Sequence, residues 1–213
     1  MKLFRITFLF VLISFSAFAK DSTAVEFKRF AFGIHASPDY CSSSNRSLIL
    51  AYSFGEDISF YINKKFAVSL GINFAQKGYA VQLNTYNSQG VIYVNRMRHN
   101  FNYLEFPLKA NFLLGKKKVQ LLMNAGLTSA FLLFEQPVYI GSGNAYTRRA
   151  PNYNFTPFNL FVNGGLGANF ILGKKVNLRV VPTFNYGIIE TSGIPAPERL
   201  WSAGLNVGCH IRF

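Results

Sequence analysis

The chain is 213 residues long, carries a formal net charge of +13, and is 50% hydrophobic and 16% aromatic. This length accommodates one sizeable domain rather than two. After Lys20 no apolar stretch reaches the roughly 20 residues that a membrane-spanning helix requires, which excludes a helical membrane protein. The high apolar content must therefore be distributed in short segments along the chain.

The N-terminus has the three regions of a secretory signal peptide. Lys2 and Arg5 precede a short apolar run that ends in Ala17-Phe18-Ala19, which matches an Ala-x-Ala cleavage site. The apolar run is too short to cross a bilayer as a helix. We therefore expect residues 1–19 to be removed, leaving residues 20–213 as one exported domain.

The basic charge limits the possible partners. Removing the two basic residues of the leader takes the formal charge from +13 to +11. Nucleic acid is the usual partner of a basic protein, but export argues against it. The remaining basic residues fall mostly at predicted turns and loop edges, where they either meet lipid phosphates and lipopolysaccharide or form a solvated rim. We expect no nucleic-acid partner and no cofactor.

Period-two alternation of apolar and polar residues runs through the rest of the chain and predicts β-strands. It is clearest from Trp201 to Phe213, where the odd positions are apolar and the even positions are Ser, Gly, Asn, His and Arg. No helical periodicity is visible after residue 19. The alternation predicts eight strands, at residues 28–37, 48–62, 66–83, 92–114, 118–135, 156–172, 176–190 and 199–213.

The connections between these strands alternate between short and long. The short ones are basic turns at residues 63–65, 115–118 and 173–175, and the long ones lie at roughly 38–47, 84–99, 136–156 and 191–198. Hairpins that cross a membrane repeatedly have this organisation, with both chain ends on the short-turn side. We therefore predict an all-β fold, a closed antiparallel transmembrane β-barrel of eight strands with short periplasmic turns and longer extracellular loops. Its location is the bacterial outer membrane.

A soluble barrel shows the same alternation with its apolar face inside, so a second criterion is needed. The polar face is rich in small residues, which a narrow eight-stranded interior requires. These are Gly71, Gly126, Gly165, Gly167, Gly204 and Gly208. Aromatic residues gather near strand ends on the apolar face, as in the interfacial girdles of membrane barrels. These are Phe66, Phe112, Phe170, Tyr186, Trp201 and Phe213.

Several short motifs follow one another in the order and spacing of a known family. They are Gln76-Lys77-Gly78, Tyr103-Leu104-Glu105-Phe106-Pro107-Leu108, Ala125-Gly126-Leu127, Gly164-Gly165-Leu166-Gly167 and the strand from Arg179 to Gly187. With these motifs the chain resembles the PorT-like outer-membrane β-barrel proteins over nearly all of its exported part. The resemblance implies the fold and the location. The branch that gives the family its name is linked to protein secretion across the outer membrane, and no motif places this chain in that branch.

Four residues need separate comment. Glu56 shares its parity with apolar neighbours and would face lipid, where a charge is unfavourable, so we expect a bulge near Gly55 that turns it away. Pro182 has no backbone donor and predicts a local irregularity in its strand. Cys41 is expected in a surface loop and Cys209 on an apolar strand face, both as free thiols.

Most of the charged and histidine side chains of the predicted strands lie at the alternate positions that face inward. These are Arg29, His35, Asp57, Lys77, Glu105, Lys109, Arg179, His210 and Arg212. Lys77 and Glu105 are expected at similar heights on neighbouring strands, so we predict an interior ion pair, either structural or part of a gate. His35 and His210 lie on strands that pair when the barrel closes. They differ in predicted height and no cysteine or carboxylate completes a ligand set, so no metal site is expected.

The predicted loop 136–156 is the main candidate for a binding surface. Its aromatic and arginine side chains suit contact with protein, glycan or lipopolysaccharide, or they fold over the barrel mouth as a lid. The candidates are Tyr139, Tyr146, Arg148, Arg149, Tyr153 and Phe155. The serines at 42–44, with Asp39 and His99, show no catalytic spacing, so we expect no enzymatic activity.

These observations predict a structural or interaction protein of the cell envelope. Its expected partners are outer-membrane lipid, lipopolysaccharide and envelope proteins, through binding by surface loops or as a subunit of an envelope or secretion complex. A narrow pore or transporter for small solutes is the alternative. A lipid- or peptide-modifying enzyme at the rim is the third interpretation.

Overall fold

A computed structural model describes residues 28–44, 46–86, 92–115, 118–140, 145–147, 155–173, 175–191 and 198–213, so the predicted signal peptide lies outside the described residues. Every named element in these ranges is a β-strand. The strands are β1 (Phe30–Ser43), β2 (Ile49–Tyr61), β3 (Phe66–Tyr86), β4 (Ile92–Leu114), β5 (Val119–Ile140), β6 (Ala145–Thr147), β7 (Phe158–Ile171), β8 (Val176–Gly187) and β9 (Leu200–Arg212). No helix in the described ranges is long and apolar enough to cross a membrane.

The strands form a closed barrel. All pairings are antiparallel, in the order β4-β3-β2-β1-β9-β8-β7-β5, and a further pairing of β4 with β5 joins the two ends. The first and last barrel strands therefore pair directly, with Ala31 opposite Arg212 and Ser43 opposite Leu200. Among the described residues, the short strand β6 pairs with β5 alone, and it lies outside this ring. The prediction of a closed antiparallel barrel of eight strands is confirmed.

The apolar residues at alternate strand positions face outward. Large apolar side chains on every barrel strand are exposed, among them Ile34 at 59% and Leu70 at 60%. Aromatic rings pair across neighbouring strands on this wall, as Phe66 and Phe112 do with ring centroids 4.8 Å apart. A water-soluble protein would not expose so large an apolar surface, whereas a barrel wall in lipid requires it.

Two apolar clusters close the interior at its ends. The periplasmic cluster consists of Ala31, Tyr61, Ala67, Leu113, Leu122 and Val181. The extracellular cluster consists of Tyr79, Phe101, Tyr103, Ala130, Phe161 and Leu200, with Val81, Leu132 and Phe155 packed against it. Buried polar and charged residues fill the space between them. The barrel is thus filled along its axis by side chains.

Three strands are much longer than the others. The last pair between β2 and β3 is Tyr52 with Gln76, and the last between β5 and β7 is Phe131 with Phe158. Beyond these pairs β3, β4 and β5 continue together for about ten residues, roughly 30 Å of strand. We call residues 77–86, 92–101 and 132–140 the extracellular extension. Much of the two long loops expected at 84–99 and 136–156 is therefore strand.

Two expectations about local structure were wrong. The pairings of β2 run without a shift through Gly55, so no bulge turns Glu56 away from the outer face. Cys41 lies within β1 rather than in a loop, because this strand continues to Ser43; the thiol is buried and accepts a hydrogen bond from the Gly78 amide at 3.3 Å.

The strand pairing has two further irregularities, one of which the sequence predicts. The ladder between β7 and β8 is interrupted at Val181 and Pro182, as the missing proline donor predicts, and then resumes in the same register. A bulge does occur where the extracellular extension begins: Phe134 pairs with Asn102 and Leu132 with Tyr103, so Leu133 of β5 is the extra residue. Cys209 is exposed on the outer face, and both cysteines are free thiols.

Candidate functional site: the charged interior and the extracellular mouth

The structure brings Lys77 and Glu105 together. Lys77 Nζ lies 2.8 Å from Glu105 Oε1, and both side chains are almost completely buried. The register places Lys77 opposite Phe101 and Glu105 opposite Asn73, so the pair is offset along the strands and the long side chains span the difference. The Lys77 ammonium also lies 5.0 Å from the centre of the Phe161 ring, in the extracellular cluster. This pair forms the upper polar layer of the interior.

A second set of charges surrounds Asp57 nearer the periplasm. His210 Nε2 lies 3.0 Å and His35 Nδ1 lies 3.5 Å from Asp57 Oδ2. Arg179 Nη1 is 3.2 Å from His210 Nε2, and Arg179 Nη2 donates to the Tyr61 hydroxyl at 2.7 Å. Four strands thus contribute to this lower polar layer, which ties β1, β2, β8 and β9 together.

Two glycines make room for the histidines of this layer. A Cβ atom on Gly33 would collide with the imidazole of His210, which lies directly opposite on β9. A Cβ on Gly208 would lie 2.9 Å from the His35 Cβ. The small residues on the polar parity therefore serve the function that the sequence predicts, namely space for larger neighbours.

Little open space remains between the two layers. Two polar cavities, each of about 30 Å³, lie in this region, and Lys109 lines both. A cavity of this size holds about one water molecule. The interior is therefore a nearly filled polar core, in which Lys77 is paired with Glu105 and Asp57 with the two histidines, as the low dielectric favours.

The extracellular mouth is covered by a third set of contacts. His99 Nδ1 lies 2.5 Å from Glu135 Oε1, which joins β4 and β5 of the extension. Arg46 Nε donates to Glu198 Oε1 at 2.6 Å, and its guanidinium lies 5.7 Å from the centre of the Tyr79 ring. Arg46 lies between β1 and β2, and Glu198 lies just before β9, so their contact holds these two segments at the barrel mouth.

The candidate binding residues of the predicted loop 136–156 lie in different parts of the structure. Phe155 is half-buried against Phe101, with ring centroids 4.8 Å apart. Tyr139 lies on β5 opposite Tyr146 on β6, and only their backbone is described. Arg148, Arg149 and Tyr153 lie outside the described residues.

Sequence reasoning missed the meeting of His35, Asp57 and His210. Parity correctly placed all three side chains inward, but it carries no information on register between β1, β2 and β9. Within the described ranges, no group of three or more His, Cys, Asp or Glu residues has an arrangement that could hold a metal ion. Arg179, close to His210 Nε2, would also oppose a cation at this point.

Comparison with known proteins relates this architecture to membrane barrels. A family model described as "Outer membrane protein beta-barrel domain" matches residues 18–192. Among solved structures, the Neisserial surface protein A is similar, with a TM-score of 0.52 and 13% identity over 86% of this chain and 97% of that one. Ail of Yersinia pestis matches with a TM-score of 0.47 and 13% identity over 88% and 100% of the two chains. A major outer membrane protein of Thermus thermophilus matches with a TM-score of 0.49 and 12% identity over 86% and 99%. A comparison with curated proteins gave no match.

Proposed function

The chain belongs to the outer membrane protein β-barrel domain family, and from this premise we propose that it is a non-enzymatic interaction protein of the cell envelope that binds its partner through the extracellular extension. In this proposal it works as a subunit of an envelope or secretion complex. The barrel anchors the extension in the outer membrane and holds it in a fixed orientation.

The observation that carries the proposal is the sheet that projects from one side of the barrel. On β5 the sheet exposes Leu133 and Phe134, at 51% and 52%. On β4 the guanidinium groups of Arg96 and Arg98 donate to the Leu48 and Leu50 carbonyl oxygens on the β2 side. Aromatic and arginine side chains of this kind are enriched at protein interfaces. A projecting surface with this chemistry suits a protein partner.

The extension also offers an edge for strand pairing. Beyond Gln76, two described residues bond to the outer edge of β3: Cys41 Sγ accepts from the Gly78 amide at 3.3 Å, and Ser47 bridges Ala80 with hydrogen bonds of 3.0 Å in both directions. Residues 81–86 pair with β4 on one side, and no described residue pairs with them on the other. An extended segment of a partner can add to such an edge through main-chain hydrogen bonds.

The filled interior favours this function over transport. Both ends of the lumen are closed by apolar clusters, and the charges between them are held in place by hydrogen bonds. A solute would have to displace these side chains. The barrel therefore suits an anchoring function better than conduction.

We also propose that the chain is a PorT-like member of its family. The motifs that resemble that group occupy structurally distinct places, which supports the assignment. Gln76-Lys77-Gly78 marks the point where β3 leaves β2, and a Cβ on Gly78 would collide with the His99 carbonyl oxygen. Glu105, in the second motif, pairs with Lys77 of the first.

Trimming the extension should abolish partner binding while the barrel still folds. Val81 and Met97 are directly paired, and the Val81 backbone faces β4 because the neighbouring Ala80 bonds to Ser47 on the other side. Replacing residues 82–96 by Asn-Gly therefore leaves a two-residue hairpin in the same register. After mild-detergent extraction of tagged protein from its native host, we expect partners at near-equal abundance for the unaltered chain and at least about a tenfold loss for the trimmed one.

The matched control carries alanine at Lys64 and Lys65, in the periplasmic turn. It should retain its partners. Folding of each variant is checked by its shifted mobility on an unheated SDS gel. A clean monomer from the unaltered chain, or equal partner recovery from the trimmed one, would refute the proposal.

Export itself gives a further prediction. If residues 1–19 form a signal peptide, the protein isolated from the outer membrane begins at Lys20, because the Ala-x-Ala site ends at Ala19. Mass measurement of the intact protein and sequencing of its N-terminal peptide test this. Recovery of Met1 in the membrane fraction would contradict it.

A further inference from the structure

The outer wall of the barrel carries a charge in the middle of an apolar surface. Glu56 of β2 is paired with Ile34 of β1 and Ile72 of β3, and it lies between Phe54 and Ile58 on its own strand. These four neighbours are 42% to 59% exposed. Glu56 itself is half-buried among them.

The depth of Glu56 makes its position costly. The outward residues of β2 are apolar or aromatic from Leu50 to Ile62, and Glu56 lies midway between these two. The apolar half-thickness of a bilayer is about 15 Å, which is beyond the reach of a glutamate side chain. The carboxylate therefore cannot extend to either aqueous interface, as a lysine or arginine near a strand end would.

Glu56 also differs from the acidic residues inside the barrel. Asp57 contacts two histidines, Glu105 contacts Lys77, and Asp39 accepts a hydrogen bond from Ser37 at 2.5 Å. Within the described part of the chain, no hydrogen bond or salt bridge reaches the Glu56 carboxylate. In an apolar medium such a group requires a partner.

We propose that Glu56 marks a lateral interface within the membrane. A membrane-embedded segment of another protein packs against the outer face of β1 to β3, over Ile34, Phe54, Ile58 and Ile72, and places an arginine or lysine on the Glu56 carboxylate. The apolar ring excludes lipid from the ion pair and supplies the packing area, as rings around interface hot spots do. The low dielectric strengthens the charge-assisted hydrogen bond.

Charge complementarity favours another protein over a second copy of this chain. Among the described residues that face outward on the membrane wall, Glu56 is the single charged residue. A second copy of this chain therefore has no basic side chain at this depth that could pair with it. Two copies in one membrane would also bring their Glu56 carboxylates together at equal depth. This interface is separate from the extracellular extension and does not depend on the function proposed for it.

Site-specific photocrosslinking tests the inference. A benzoyl-phenylalanine is introduced at Ile34 or Ile72, with Glu56 intact, in the full chain expressed in its native host. The control position is Leu166, 57% exposed near the middle of β7 on the opposite wall. We expect one discrete protein adduct from the first two positions and none from Leu166. The crosslinked peptide should be an apolar segment that contains an arginine or lysine.

The adduct should depend on the carboxylate. Glu56→Ile is expected to reduce it at least tenfold, and Glu56→Asp should restore a substantial part. The purified Glu56→Ile barrel should fold normally, with a urea midpoint equal to or above that of the unaltered protein, because a charge has been removed from the lipid face. Loss of the adduct is then not a folding defect.

Three results would overturn the inference: an adduct to a second copy, an adduct unchanged by Glu56→Ile, or labelling no different from that at Leu166. The hairpin-trimmed variant separates this interface from the extension. It should retain the adduct at Ile34 even if it loses every extracellular partner. Failure of either proposal therefore leaves the other open to its own test.

Discussion

Replacing Glu105 with Gln should destabilise the folded barrel by about 3 kcal/mol, because it removes the carboxylate that contacts the buried Lys77 ammonium. The side chains of both residues are almost inaccessible, and Nζ lies 2.8 Å from Oε1. The ammonium would keep its contact with the Phe161 ring and the charge of Asp39, which lines the same cavity. Urea unfolding in detergent, followed by the fluorescence of the single tryptophan, Trp201, measures the loss.

A double substitution distinguishes charge pairing from simple packing. Lys77→Met with Glu105→Leu removes both charges while keeping similar volumes, and replacing a whole buried pair by apolar residues is often neutral or stabilising. We expect this variant to unfold within about 1 kcal/mol of the original protein. If it is as unstable as Glu105→Gln alone, the pair is not the source of the effect.

Asp57→Asn should cost about 2 to 4 kcal/mol, because it removes the acidic charge at the centre of the lower polar layer. The substitution preserves size but leaves Arg179, close to His210, without a nearby carboxylate. Because this layer joins the first and last strands, the loss should also weaken barrel closure. The same urea titration measures the stability. The fraction that runs as folded barrel on an unheated SDS gel measures closure.

Two further variants isolate the charge effect at Asp57. Asn124→Ala removes a neutral side chain from the lining of the same cavity and should cost less than about 1.5 kcal/mol. Arg179→Met in the Asp57→Asn background removes the uncompensated cation, so the two changes together should cost less than the sum of their separate effects. Strict additivity would mean that Asp57 and Arg179 do not interact.

The two charged layers make the barrel a rigid support. Charged layers that are costly to break, closed between two apolar clusters, hold the strands in one arrangement. Such a barrel can present the extracellular extension, and the Glu56 face in the membrane, in fixed orientations. This rigidity fits a protein that is recognised by partners better than one that opens a path for solutes.

Local sequence patterns were sufficient to predict the strand character, the face on which each side chain lies and the order of the hairpins. Alternation with period two assigns each residue to one of two faces, so parity alone placed His35, Asp57, Lys77, Glu105 and His210 inside. Turn composition set the order of the hairpins, and an even number of strands with glycine on the polar face implied a closed, narrow barrel. These are local properties, which is why one sequence sufficed.

Which inward side chains contact one another depends on the tertiary structure. Lys77 and Glu105 pair across an offset that no turn signal reveals, and Asp57 meets His210 only because barrel closure sets β9 against β1. The same is true of Glu56. Parity placed it outward, and the unbroken register of β2 with both neighbours kept it there, in contrast to the expected bulge. Register depends on the pairing of strands that are far apart in the chain and on the stagger that closes the ring. The local alternation of apolar and polar residues contains no information on either.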